Sequence, residues 1–225
     1  MKHYSYFILL LFTLAYPLFK SFEPKIQFHK TWKQLFPAIV ITAIIFIAGD
    51  MWFVSKGIWW FDNDYVIGIY IFNLPIEECL FFFIIPFSSM FIYEVINYFI
   101  KKNISQKTTK IITTVILIFL LSSAIIFYDR FYTLIIFIFL SILLFLHQFI
   151  FKSIYLSRFY QLWTILIIPF LIFDGIVTAF PIVIYNHLYI TGFRLTSIPI
   201  EDLFYGALQT LVIISIYKIL SYKST

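Results

Sequence analysis

Leu74-Pro75-Ile76-Glu77-Glu78 recurs 124 residues later as Ile198-Pro199-Ile200-Glu201-Asp202. At the same offset, without a gap, Asp50 falls on Asp174, Ile58 on Ile182, Tyr65 on Tyr189 and Gly68 on Gly192. Phe61 falls on Tyr185, Phe81 on Tyr205 and Tyr93 on Tyr217. One such coincidence could be chance. An Asp, a Tyr, a Gly and a Pro-Ile-acid-acid run in one register indicate a duplication, and an internal repeat governs how every other feature is read.

The composition sets the solvent. Of 225 residues, 62% are hydrophobic and 12% charged, with a mean hydropathy of +0.97. A soluble domain carries about 25% charged residues, so this is a polytopic membrane protein. The net charge of +5 then reflects lysines flanking membrane spans, and no nucleic-acid partner is implied. The 30 Phe and 16 Tyr supply lipid-facing bulk and, on a sharper reading, the walls of an aromatic cavity. Cys79 is the single cysteine, which rules out an internal disulfide and a zinc cluster. The chain contains no GxGxxG, P-loop or HExxH motif, which argues against a soluble dinucleotide domain. No metal site is assigned.

A span needs about 20 mostly apolar residues. That rule predicts seven, over residues 4–19, 35–53, 75–99, 111–127, 131–151, 161–179 and 199–220. The first resembles a signal peptide, with Lys2 ahead of an apolar run, but the repeat places it on the fifth span. The repeat unit is three spans, and the fourth lies between the copies. Three plus one is even, so the second copy enters the membrane in the direction of the first. The expected fold is all-α: a polytopic membrane protein of about seven transmembrane helices, two parallel three-helix repeats joined by a central helix. The expected division is residues 1–100, 101–127 and 128–225. Both acidic motifs then lie at one membrane face and can share one site.

Twelve Lys and Arg fall on the side of the loops after spans one, three and five and the C-terminus. Four (Lys2, Lys56, Arg130 and Arg194) fall on the motif side. The positive-inside rule puts the N-terminus outside and the C-terminus in the cytoplasm, for a multi-pass protein of the cell's inner membrane. Acids segregate the other way: only Glu23 and Glu94 lie on the basic side, and the other nine are with the motifs.

The candidate chemistry sits in those acids. Pro75 and Pro199 suit the first turn of a helix, and carboxylates just after them would ordinarily cap it and offset its dipole. Two matched copies, each meeting an Asp that ends the preceding span, weigh against capping alone. Ionisable groups at membrane depth are functional candidates by default. Neighbouring helical residues point about 100° apart, so Glu77 and Glu78 cannot both face one point. The simplest arrangement turns Glu77 and Glu201 to the pseudo-twofold axis and leaves Glu78 and Asp202 to orient or cap; the reverse is open. Burial and crowding by like charge favour a protonated carboxyl, and a helix N-terminus opposes them. Only a dry pocket holding several acids lets the first two win. Trp59, Trp60, Phe61 and Tyr65, in the loop before the first motif, are boundary anchors or the wall and lid of a pocket.

The order is a span ending in Asp, a Trp/Phe-rich loop, Tyr-x-x-Gly, then Pro-Ile-Glu-(Glu/Asp) opening a Phe-rich helix, all duplicated. It resembles the heterodimeric-type lycopene cyclases, small membrane enzymes of carotenoid biosynthesis, here with two cyclase domains fused in one chain. The stretch Ser21-Phe22-Glu23-Pro24-Lys25 is similar to that family's first loop. The second copy departs where Trp59-Trp60 becomes Val183-Ile184 and Asp62-Asn63-Asp64 becomes Asn186-His187-Leu188.

The resemblance implies proton-initiated, non-redox cyclisation of the ψ ends of lycopene, or a related acyclic carotenoid, to β-rings within the lipid bilayer. The catalytic candidates are Glu77, Glu201, Glu78, Asp202, Asp50 and Asp174. Those for substrate binding are Trp59, Trp60, Phe61, Tyr65, Phe81, Tyr189 and Tyr205. No cofactor is expected; no flavin motif is present, and a reduced-flavin requirement stays open, as does homo-oligomerisation. Two alternatives compete. An intramembrane prenyltransferase would use Mg²⁺ and a prenyl diphosphate, with Asp62 and Asp64 as its acids. A small transporter would place acids along a cation path.

Overall fold

The computed structural model describes residues 2–222. Lys223, counted above on the basic side, lies outside the described residues. Among the described residues seven α-helices carry the fold: α1 (Ser5–Lys20), α2 (Trp32–Ser55), α3 (Ile76–Phe99), α4 (Gln106–Ile126), α5 (Phe131–Phe145), α6 (Leu156–Ala179) and α7 (Ile200–Tyr222). Among the described residues, six helical segments are long and apolar enough to cross a membrane. The expected first span is the exception. With 16 residues, α1 is about 24 Å long against a hydrocarbon core of about 30 Å.

Three of the other helices start earlier than hydropathy indicates, because their first turns hold Trp, Lys or Arg. α2 opens at Trp32, α4 at Gln106 and α6 at Leu156. Ser105 caps α4, its Oγ accepting the Thr108 N–H at 3.1 Å. α5 runs on through a π-helical turn, Leu146–Ile150.

The packing follows the repeat. α1 and α2 pack on α3, and α5 and α6 pack on α7 in the same way. Each middle helix also packs on the other repeat's third helix, α2 on α7 and α6 on α3, while α4 lies against α5. The exchange interleaves the two copies around α3 and α7.

Six short strands add what hydropathy could not show: β1 (Trp59–Phe61), β2 (Tyr70–Ile71), β3 (Leu74–Pro75), β4 (Val183–Tyr185), β5 (Arg194–Leu195) and β6 (Ile198–Pro199). β1 and β4 pair antiparallel, with Trp60 opposite Ile184. Those two residues are equivalents, so the pseudo-twofold axis passes between them. The flanking bonds obey the same symmetry: Asp62 N–H to Ile182 C=O at 3.0 Å, and Asn186 N–H to Ile58 C=O at 2.8 Å.

Two matched hairpins, β2–β3 and β5–β6, lead into α3 and α7. Each is preceded by a glycine at positive φ, Gly68 at +87° and Gly192 at +83°, a conformation that a Cβ penalises. Pro75 closes β3 and caps α3 in extended conformation (φ −63°, ψ 150°), one residue before the helix that it was expected to open. The ends of α1 and α5 join the same loops, through Tyr6 N–H to Tyr65 C=O at 3.3 Å and Tyr132 N–H to Tyr189 C=O at 3.0 Å. All the acidic loops therefore gather at one end of the bundle, as parallel repeats require.

Candidate active site

The third helices open on their acids, and the second helices end near theirs. Packing α2 on α7 and α6 on α3 brings these four termini to the axis. There they border a cavity of about 470 Å³ walled by α1, α3, α6 and α7, with single residues from α2 and α5. Asp50, Glu78, Asp174 and Asp202 all line it. Among the described residues, no Lys or Arg does. Asp50 is 2% exposed, Glu78 7% and Asp202 5%.

The arrangement favoured on helical geometry is reversed. Glu78 and Asp202 face the cavity, while Glu77 and Glu201 turn away from it into the loops, both fully buried. Glu77 Oε1 accepts the Ile67 N–H at 2.7 Å, and Glu201 Oε1 accepts the Thr191 N–H at 2.7 Å. Thr133 Oγ1 adds a bond to Glu201 at 2.5 Å. These carboxyls fasten each glycine-bearing loop to its own helix.

Tyrosines surround the cavity acids. Tyr6 Oη donates to Glu78 Oε2 at 2.6 Å, and its equivalent Tyr132 donates to Asp202 Oδ1 at 3.0 Å. Here the symmetry stops. Tyr205 Oη donates to Asp50 Oδ1 at 2.5 Å, but the equivalent of Tyr205 is Phe81, which has no hydroxyl. Asp174 Oδ2 is buried without a hydrogen-bond partner. Asp50 and Glu78 are near neighbours in the cavity lining. Tyr185, the equivalent of Phe61, lies instead against Asp202. Burial, followed by the Asp202 charge, pushes the Tyr185 phenol well above its ordinary value, so it is a neutral hydroxyl.

Aromatic faces close the acidic end. The Trp59 ring stands 5.2 Å from Tyr132 and 5.8 Å from Tyr185, and Phe81 lies 5.7 Å from Phe173. Of the expected binding residues, Trp59, Phe81 and Tyr205 line the cavity, and Trp60, Phe61, Tyr65 and Tyr189 do not. Trp60 is 47% exposed over the axis, and Tyr65 lies under the Lys2 ammonium at 5.9 Å. Tyr6, Tyr132, Tyr185 and Phe173 line the cavity but were not singled out from the sequence as binding residues.

The two copies do not line the cavity equally. Gly206 lines it, and a Cβ there would come within 2.9 Å of Trp163 Cη2. The equivalent residue is Phe82, which is fully buried and packs on Phe46 with ring centroids 6.0 Å apart. In one copy a phenylalanine fills its own position, and in the other the Trp163 and Phe170 rings pack against a bare glycine.

Asp62 and Asp64, the acids of the prenyltransferase alternative, do not line the cavity. Asp62 Oδ1 accepts the Asp64 N–H at 2.9 Å, and Asn186 Oδ1 accepts the Leu188 N–H at 3.1 Å in the other copy. The turn needs only a side-chain oxygen, which explains why Asp in one copy becomes Asn in the other.

The family model for lycopene cyclase matches the chain twice, over residues 3–96 and 129–220. No curated protein and no solved structure gave a match.

Proposed function

The chain belongs to the lycopene cyclase family, a membrane carotenoid cyclase, and from that premise we propose that it converts the ψ ends of lycopene to β-rings by proton-initiated cyclisation, a non-redox isomerisation. Residues 1–100 and 128–225 act as two cyclase-like halves joined by 101–127. The observation that carries this reading is the set of four carboxyl groups, two from each repeat, lining one cavity free of Lys and Arg among the described residues. A diphosphate substrate would call for cations there. A bilayer-soluble polyene calls for none.

The Asp50–Glu78 pair supplies the proton, to the terminal double bond of the end group. The resulting tertiary cation is attacked by the neighbouring alkene, which closes the ring and moves the charge onto a ring carbon. Asp174, whose Oδ2 lacks a donor, removes a proton from the adjacent carbon. One proton enters and one leaves, so the product is an isomer. Trp59, Tyr132 and Tyr185 line the same cavity as Asp202, and a dry aromatic face can stabilise a cation by about 2 kcal/mol. Tyr6, Tyr132 and Tyr205 hold the carboxyls in place. Glu77 and Glu201 position the loops. The acidic loops face the outside and the basic loops the cytoplasm of the inner membrane.

Expression in cells that accumulate lycopene tests this. The pigment should change from red to yellow-orange with the natural chain and stay red with Glu78→Gln at equal membrane abundance. Retention of the red colour by the natural chain, present and folded in the membrane, would refute the assignment.

A further inference from the structure

The cavity carries a feature that hydrocarbon cyclisation does not use. Seven residues beyond Asp202 on α7, about 10 Å along the helix axis, Gln209 lines the cavity. It is 3% exposed, and its Nε2 is buried without a hydrogen-bond partner. Burying an amide unpaired costs roughly 1–3 kcal/mol on protein scales. The fold itself does not ask for it. The equivalent residue in the other repeat is Ile85, which lines the same cavity. The surroundings of Gln209 are mildly polar as well, with Ser89 and Thr210 lining the cavity at 6% and 4% exposure.

We propose that Gln209 is a specificity-determining residue whose amide donates a hydrogen bond to an oxygen on the bound chain, so that the cavity accepts acyclic isoprenoids carrying a carbonyl a short way beyond the ψ end group. The proposal rests on the cyclase reading above and extends its substrate class from hydrocarbons to short carbonyl-bearing polyenes. The ring-forming end lies at the carboxyl cluster, and the carbonyl oxygen lies two helical turns away, at Gln209. Cyclisation remains an isomerisation, and the carbonyl serves only as a hydrogen-bond acceptor.

The test uses the full chain in membranes, with lycopene and the acyclic C13 ketone ψ-ionone as the two substrates. Gln209→Ile, which installs the residue of the other repeat, should lower kcat/KM for the ketone about tenfold and leave lycopene cyclisation within about twofold. Gln209→Asn, with a shorter amide, should lie between. Equal effects on both substrates would overturn the proposal, because the amide would then be serving the fold or a water molecule. So would failure of the natural enzyme to cyclise the ketone while it cyclises lycopene. Failure on both substrates would instead count against the cyclase chemistry itself.

Discussion

The two halves of the site share a backbone plan and differ in how their carboxyl groups are held. In the first, Asp50 and Glu78 are neighbours in the cavity lining and each accepts a phenol, from Tyr205 and Tyr6. In the second, Tyr132 donates to Asp202 Oδ1, no phenol among the described residues is bonded to Asp174, and the Oδ2 atoms of Asp174 and Asp202 are both buried without a donor. Two substitutions between equivalents make the difference, Phe81 for Tyr205 and Phe61 for Tyr185. Duplication supplied matched acids, and divergence of the aromatic residues gave them unequal hydrogen-bond partners, which in the proposed mechanism separates the proton donor from the acceptor. A reaction that needs an acid and a base at one time is served by such inequality. Two identical halves would compete for the same role.

The comparison breaks most sharply at the carboxyls. Glu78→Gln and Asp174→Asn should each cost about 10²–10⁴-fold in cyclisation rate, the usual loss for a positioned acid or base. The variants should differ in kind. Trapping with an added nucleophile should recover ring-closed material from Asp174→Asn, whose proton removal is impaired, and none from Glu78→Gln. Unchanged turnover in both would return the acids to a structural role. A smaller effect is expected at the asymmetric aromatic pair. Tyr205→Phe removes one neutral-to-charged hydrogen bond, worth about 1.5–3 kcal/mol, and should slow turnover on the order of tenfold to a hundredfold. Phe81→Tyr, which offers Asp174 a donor, should also slow the reaction; acceleration would contradict the role given to Asp174. The smallest effect on rate belongs to Glu77→Gln. It should lower thermal stability, by about 1–3 kcal/mol for a disturbed buried bond, and leave turnover per folded molecule within a few fold.

Much of this was legible in the chain. An even number of spans from the start of one copy to the start of the next fixes parallel repeats, and the structure brings all the acidic loops to one end. The acids at positions 50, 78, 174 and 202 stood out because charge at membrane depth is rare. Which of Glu77 and Glu78 faces inward did not. Helical geometry says only that they diverge, and the choice is made by the Ile67 and Thr191 amides, which bind Glu77 and Glu201. Tyr6 and Tyr132 escaped notice because they lie 126 residues apart, out of step with the gapless 124-residue register. An alignment allowing a two-residue shift ahead of Asp50 would have paired them. The β1–β4 ladder is three residues long on each side, too short for any periodic signal, and its pairing follows from the twofold axis alone.

Isotope incorporation tests proton-initiated cyclisation most directly. Lycopene cyclised by the natural enzyme in D₂O should give a product carrying one deuterium per ring, at the carbon protonated first, because the initiating proton comes from a carboxyl that exchanges with solvent. A cyclised product free of deuterium after full exchange of the enzyme would show that ring closure starts without a solvent-derived proton, and the roles given to Asp50, Glu78 and Asp174 would fall with it.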